Sequence, residues 1–141
     1  VCAAVMTDVP CSGLGALRRR PESRWRERDL DTLVLLQRSL LHNAIALARP
    51  AVSLDRHLLT NHRETTEVVC QALRHEPVEA LDTPSLMAGV PDCATGPDGR
   101  FVQLWPHRHG TDAMFCAVLR EVLTAVTGCL GGHIEAVARD L

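Results

Sequence analysis

The chain opens on an unbroken apolar run, Val1-Cys2-Ala3-Ala4-Val5-Met6. Such a run, closed by turn residues, predicts a short strand over residues 1–7 covered on both faces, as in a parallel sheet. Asp8-Val9-Pro10-Cys11-Ser12-Gly13-Leu14-Gly15 then reads as a loop, because Pro and Gly break regular structure. From about Asp31 to Ala48, Leu33, Leu36, Leu40, Ala44 and Leu47 recur at spacings of three and four, which predicts a helix with that side inward. Asp29 or Asp31 can cap its start, and Pro50 marks its stop. Residues 51–62 show no clear period. A second amphipathic helix is expected over Arg63–His75, with Val68, Val69, Ala72 and Leu73 on one side. Val78–Leu81 reads as a short strand, and the Pro- and Gly-rich residues 83–99 read as a loop. Phe101–Trp105 and Ala113–Leu119 read as two strands, an antiparallel pair joined through Pro106-His107-Arg108-His109-Gly110. Arg120 to Leu141 looks helical in two pieces, broken by Gly128, Gly131 and Gly132. Strands alternating with helices over 141 residues predict one α/β layered domain.

Composition adds constraints. Hydrophobic residues make up 46% of the chain and aromatics only 3%, so the core must rest on Leu, Val and Ala. The net charge of −2 gives no general attraction to nucleic acid, so any RNA contact needs a local basic patch. Arg18, Arg19, Arg20, Arg24, Arg26 and Arg28 supply one that could hold phosphates, unless Glu22 and Glu27 merely neutralise a solvated loop. None of the six cysteines has C-x-x-C spacing, which argues against a zinc site. With no signal peptide, they read as reduced thiols in a cytoplasmic protein, most of them small and buried. No apolar run reaches the roughly 18 residues of a membrane span. His107 and His109 lack a third ligand, so no metal is expected. Trp25 and Trp105 could stack on bases, but core packing is the better reading for each. An abrupt start on a strand, without Met, suggests that an N-terminal part of the sheet is missing.

The loop DVPCSGLGALRRRPE, residues 8–22, resembles a hallmark of the bacterial RNA (cytosine-5)-methyltransferases of the Fmu/Sun/Nop family. Their pattern is Asp-x-Pro-Cys-Ser/Thr-Gly-x-Gly followed by Arg-Arg-x-Pro-Glu. A second match, QLWPHRHGTDAMFCAVL at residues 103–119, resembles the family's closing segment with its His-Gly-Thr-Asp core. The resemblance implies that residues 1–121 are the C-terminal half of a catalytic domain, with residues 122–141 an extra helical tail. It implies a partial Rossmann-like, class I fold that uses S-adenosylmethionine and acts on small-subunit ribosomal RNA, with the N-terminal half of the sheet missing. A first strand left at the edge of that sheet is then expected to favour self-association.

The chemistry explains the residue types. Carbon-5 of cytosine is a poor nucleophile, so these enzymes add a thiolate to carbon-6, which lets carbon-5 take the methyl group. The target base must also leave any stack. One cysteine attacks, in a Thr-Cys-Ser segment after the next strand; the other assists product release. Cys11 matches the release cysteine, and Asp8 matches the loop aspartate near the cofactor and target base. Arg18, Arg19, Arg20 and Arg24 are the expected RNA contacts. Asp112 is expected to fix a turn.

The sequence departs from the family in two ways that bear on activity. The glycine-rich cofactor loop lies upstream of the Pro-Cys-Ser-Gly loop, and nothing here supplies it. The attacking cysteine is also absent: Arg49-Pro50 is followed by AVSLDRHLLT, and no Cys occurs between Cys11 and Cys70. Similarity resumes at Arg63-Glu64-Thr65-Thr66-Glu67. His57-Leu58-Leu59-Thr60 can be encoded CAC CTG CTC ACC, which from its second base reads Thr-Cys-Ser. Pro50-Ala51-Val52-Ser53 can likewise hide Gly-Gly-Val. Small compensating insertions and deletions in a decaying gene would leave such a patch. Without that cysteine and that loop the chain on its own is expected to be inactive; the alternatives are a non-catalytic RNA-binding remnant and a functionless pseudogene product.

Overall fold

The computed structural model describes residues 4–25, 29–48, 52–57, 61–87 and 89–122. Strand β1 is Ala4–Asp8, and a loop with two short 3-10 turns, Leu14–Ala16 and Pro21–Trp25, leads from it to helix α1, Leu30–Leu47. Strand β2 (Val52–His57), a 3-10 turn at His62–Glu64 and helix α2 (Thr66–His75) follow. Next come β3 (Val78–Ala80), a one-turn helix α3 (Thr83–Leu86), β4 (Ala94–Thr95), β5 (Phe101–Leu104), the one-turn α4 (Pro106–His109) and β6 (Met114–Glu121). Asp29 starts α1 as expected, its side chain accepting from the backbone N–H groups of Asp31 and Thr32.

The sheet runs in the order β1-β2-β6-β5-β4. β1 and β2 are parallel, with Val5 opposite Ser53; every other pair is antiparallel. β6 pairs along its length with β2 on one side. Its other side is divided: Met114–Cys116 face β5, and Leu119–Glu121 face β3. Between those two stretches the ladder is carried by the α3 segment. Leu81 N–H donates to the Val118 carbonyl at 2.9 Å, and Val118 N–H donates to the Thr83 hydroxyl at 3.1 Å.

The core lies between this sheet and the two long helices. Val34, Leu41 and Ile45 of α1 and Val68 and Val69 of α2 meet Phe101, Phe115, Ala117 and Leu119. Phe101 and Phe115 pack edge to face, with ring centres 5.7 Å apart.

Four expectations are corrected. The buried side of α1 is Val34, Gln37, Leu41, Ala44 and Ile45. Leu36 is 44% exposed and Leu47 57% exposed. Leucines at 33, 36, 40 and 47 widen the apolar side of the helix beyond the strip that is buried, so packing rather than pattern chose the face. β1 is not covered on both faces: Ala4, Met6 and Asp8 are exposed, Met6 by 62%, while Val5 and Thr7 are half-buried. Residues 52–57, which lack a period, form a strand because backbone partners flank them on both sides. Arg120 and Glu121, expected to begin a helix, extend β6 in pairing with β3. The rest of that tail, beyond Val122, lies outside the described residues.

Candidate functional site

Asp8 ends β1 at its carboxyl end, and Cys11 follows in the turn beyond it. This edge of a parallel pair, past the strand ends, is where α/β folds place their chemistry. Gly13 takes φ 72°, a left-handed conformation that suits Gly and lets the chain enter the Leu14–Ala16 turn.

The turn is held from two directions. From beneath, the Ser12 N–H donates to Glu64 Oε1 at 2.9 Å, and Gln37 Nε2 donates to the Pro10 carbonyl at 3.0 Å. From the side, Ala113 N–H donates to the Gly15 carbonyl at 2.9 Å. The Arg19 guanidinium forms a two-pronged ion pair with one oxygen of buried Asp112. The hydrogen bond from Arg19 holds the Asp112 carboxyl below the usual carboxylate range, against burial, which acts in the opposite sense. The structure thus brings together the two segments that the sequence singles out, residues 8–22 and the His-Gly-Thr-Asp core. Asp112 does more than shape its own turn, because it anchors the arginine loop.

The arginines divide accordingly. Arg19 is committed to Asp112, while Arg18, Arg20 and Arg24 stand exposed. Trp25, expected in the core, is 82% exposed beside Arg24. It closes a 3-10 turn that contributes only Ser23 to the interior. Trp105 is half-buried, its ring tilted against His107 at 6.1 Å. His109 serves the backbone: its Nδ1 accepts from Trp105 N–H at 2.8 Å, and its Nε2 donates to the Pro91 carbonyl at 3.0 Å. No group of three metal-ligating side chains occurs among the described residues.

Two participants were not found by sequence reasoning, Gln37 and Glu64, and both are fully buried. Glu64 sits where the family similarity resumes, and Gln37 interrupts an apolar stripe between Val34 and Leu41. A lone polar residue on a buried stripe was the available signal. The stretch expected to have lost the attacking cysteine, residues 51–60, lies partly in β2, and its residues 58–60 fall outside the described residues.

The described residues do not enclose a nucleoside-sized cofactor. Asp8 is exposed. A cleft of about 520 Å³ lies between α1 and α2, lined by Arg38, His42 and His75 among others. A smaller one of about 220 Å³ lies beside Cys70 and Phe101. Neither touches Asp8 or Cys11. Among the described residues neither cleft supplies a wall beside the Asp8 carboxylate. Among the described residues no helix is long and apolar enough to cross a membrane.

Comparison with known proteins gives a consistent outcome. Residues 2–120 match the family profile described as 16S rRNA methyltransferase RsmB/F. A protein of Mycobacterium tuberculosis, named for a methyltransferase activity without a stated substrate, is 54% identical over 121 residues, which are 84% of this chain and 26% of the relative. Ribosomal RNA small subunit methyltransferase F of Escherichia coli is 32% identical over 123 residues, 84% of this chain and 25% of the relative. The chain therefore spans about a quarter of the length of the curated relatives it matches. Among solved structures, PH0851 superposes with a TM-score of 0.75 at 27% identity, over 86% of this chain and 27% of the other. NSun6 from Pyrococcus horikoshii, solved with the S-adenosylmethionine analogue SFG, gives 0.65 at 25% identity, over 82% and 29%. The α/β fold is that of the class I methyltransferases of the Sun/Nop group.

Proposed function

The chain belongs to the RsmB/F family of 16S rRNA methyltransferases, and from that premise we propose that it is the Cys11-bearing part of an RNA (cytosine-5)-methyltransferase site, inactive on its own. The observation that carries this reading is the turn from Asp8 to Ser12, set at the end of β1 and fastened by Gln37, Glu64 and the Arg19–Asp112 pair. In this reading residues 1–121 are the C-terminal half of the catalytic domain, residues 122–141 are an added tail, and the protein is cytoplasmic. Cys11 is the thiol that assists product release. The methyl donor, S-adenosylmethionine, would meet the described residues at Asp8.

What the chain's own residues can do is hold RNA. Arg18, Arg20 and Arg24 present exposed guanidinium groups to phosphates, and Trp25 presents an open ring face on which an unstacked base can lie. Arg19 acts indirectly, by fixing the loop to Asp112. This exposed surface also supports a second reading, a non-catalytic RNA-binding remnant.

The test uses the purified chain with 16S rRNA and S-adenosylmethionine labelled on its methyl group. No transfer to carbon-5 of cytosine is expected, because no cysteine lies between Cys11 and Cys70 to attack carbon-6. Detectable transfer overturns the inactivity. RNA binding should weaken steeply with salt, and it should weaken further when Arg18, Arg20 and Arg24 are changed together to Ala. Binding that ignores both changes would remove the RNA reading.

A further inference from the structure

Cys11 lies between two peptide groups that are both held from outside its turn. On one side the Pro10 carbonyl accepts from Gln37 Nε2 at 3.0 Å; on the other the Ser12 N–H donates to Glu64 Oε1 at 2.9 Å. The same Gln37 Nε2 also donates to Glu64 Oε1 at 3.1 Å, so the two holds form one unit. Three distant parts of the chain meet here: the turn itself, the middle of α1, and the 3-10 turn before α2.

This unit is an expensive way to fill space. Gln37 and Glu64 are fully buried, and Gln37 stands on a stripe whose neighbours are Val34 and Leu41. Burying a carboxylate and an amide carries a large desolvation penalty unless their bonds are made, whereas an apolar pair would pack at no such cost. Their placement is also incomplete as a network. Ser12 Oγ, Gln37 Oε1 and Glu64 Oε2 are buried without a hydrogen-bond partner among the described residues. The bonds that are made go to the backbone on either side of one side chain. With both peptide groups fixed, the Cys11 Cα–Cβ direction is fixed, and only rotation about χ1 is left to aim the thiol.

We propose that Gln37 and Glu64 are positioning residues for Cys11, clamping the peptide before and after it so that its thiol keeps one direction. The proposal rests on the reading of Cys11 as the product-release cysteine, but its test involves neither RNA nor methyl donor. In the 141-residue chain, the rate at which iodoacetamide alkylates Cys11 is read by peptide mass spectrometry, with Cys70 on α2 as internal reference. Amide hydrogen exchange at Ser12 is measured on the same samples at single-residue resolution.

In the parent protein the Ser12 amide should exchange slowly. Glu64→Ala should speed that exchange by about tenfold or more, the loss expected for a hydrogen bond to a carboxylate. Glu64→Ala and Gln37→Ala should each shift the Cys11 to Cys70 rate ratio by about tenfold. Glu64→Gln keeps a carbonyl oxygen for the Ser12 N–H and should return both readings most of the way. A residue that merely fills space gives no such rescue and no signal confined to Ser12. A rate ratio that stays within about threefold in both Ala variants, with Ser12 exchange unchanged, overturns the proposal. If the Ala variants do not fold, Glu64→Gln and the parent's Ser12 exchange decide, because a fast-exchanging Ser12 amide in the parent already refutes the clamp. A finding that Cys11 has no part in product release would leave these measurements as they are.

Discussion

Thr83→Val removes one buried hydroxyl, which accepts from the Val118 N–H and donates to the Leu81 carbonyl at 3.4 Å. Val118 N–H points to the side of β6 where neither β3 nor β5 reaches, and the Thr83 hydroxyl takes the place of a strand there, at 3.1 Å. Thr83 is 1% exposed and Val118 6%, so water cannot substitute. Valine has nearly the same shape as threonine and cannot accept. An orphaned buried N–H costs about 1–3 kcal/mol. The added methyl group returns up to about 0.8 kcal/mol by burial. The net loss should be about 1–2 kcal/mol, a fall of roughly 3–10 °C in Tm for a domain of this size. Urea unfolding followed by circular dichroism gives the free energy, and amide exchange at Val118 locates it. Thr83→Ser, which loses a methyl group but keeps the oxygen, should leave the Val118 amide protected. If Thr83→Val is as stable as the parent and Val118 still exchanges slowly, another acceptor serves that N–H and the assignment of Thr83 as a ladder substitute fails.

The Arg19–Asp112 pair predicts an acid response with a definite sign. The folded-state carboxyl lies below its ordinary value of about 3.9, so its contribution is complete above that value and is lost as pH falls through the depressed one. The urea midpoint should therefore drop on acidification below about pH 4, and Asp112→Asn should lack that component; parallel curves for the two proteins would contradict the pairing. The open side of β1 predicts self-association. Met6 is 62% exposed on a strand with no second neighbour among the described residues, and Leu36 and Leu47 lie open on α1. Purified chain at micromolar concentration should sediment as oligomers, and Met6→Lys should shift it toward monomer; a sharp monomer in the parent would show that the edge is covered.

How far the fold could be read from the chain depended on whether the information was local. The β5–β6 pair was readable because two apolar stretches flank a Pro-to-Gly connection, and Val102 lies opposite Cys116 as such a pair requires. The extent of α1 was readable from its Asp cap. Its buried face was not, because Leu33, Leu36, Leu40 and Leu47 compete with Val34, Leu41 and Ile45 for the same role, and only the sheet decides. β2 was unreadable for a related reason: Val52–His57 become a strand through partners more than forty residues away on either side. In the site, Asp8 and Cys11 were marked by a specific motif. Glu64 looked like one more charge in a polar run, because nothing in a sequence announces that a carboxylate will meet a backbone N–H 52 residues distant.

That distance bears on the order in which the molecule is made. Cys11 leaves the ribosome well ahead of the groups that enclose its turn. Glu64 trails Ser12 by 52 residues, and Asp112 trails Arg19 by 93. At roughly 5–20 residues per second, the arginine loop waits on the order of 5–20 s for its anchor. Local pieces such as the β5–β6 hairpin close within microseconds of being synthesised, but they are made long after the turn they serve. Until Glu64 and then Asp112 have been made, the turn that carries the thiol therefore lacks part of its native surroundings. Oxidation or capture by another nascent chain during that interval would strike the turn around Cys11, and the loop anchored last would be the part that fails to form.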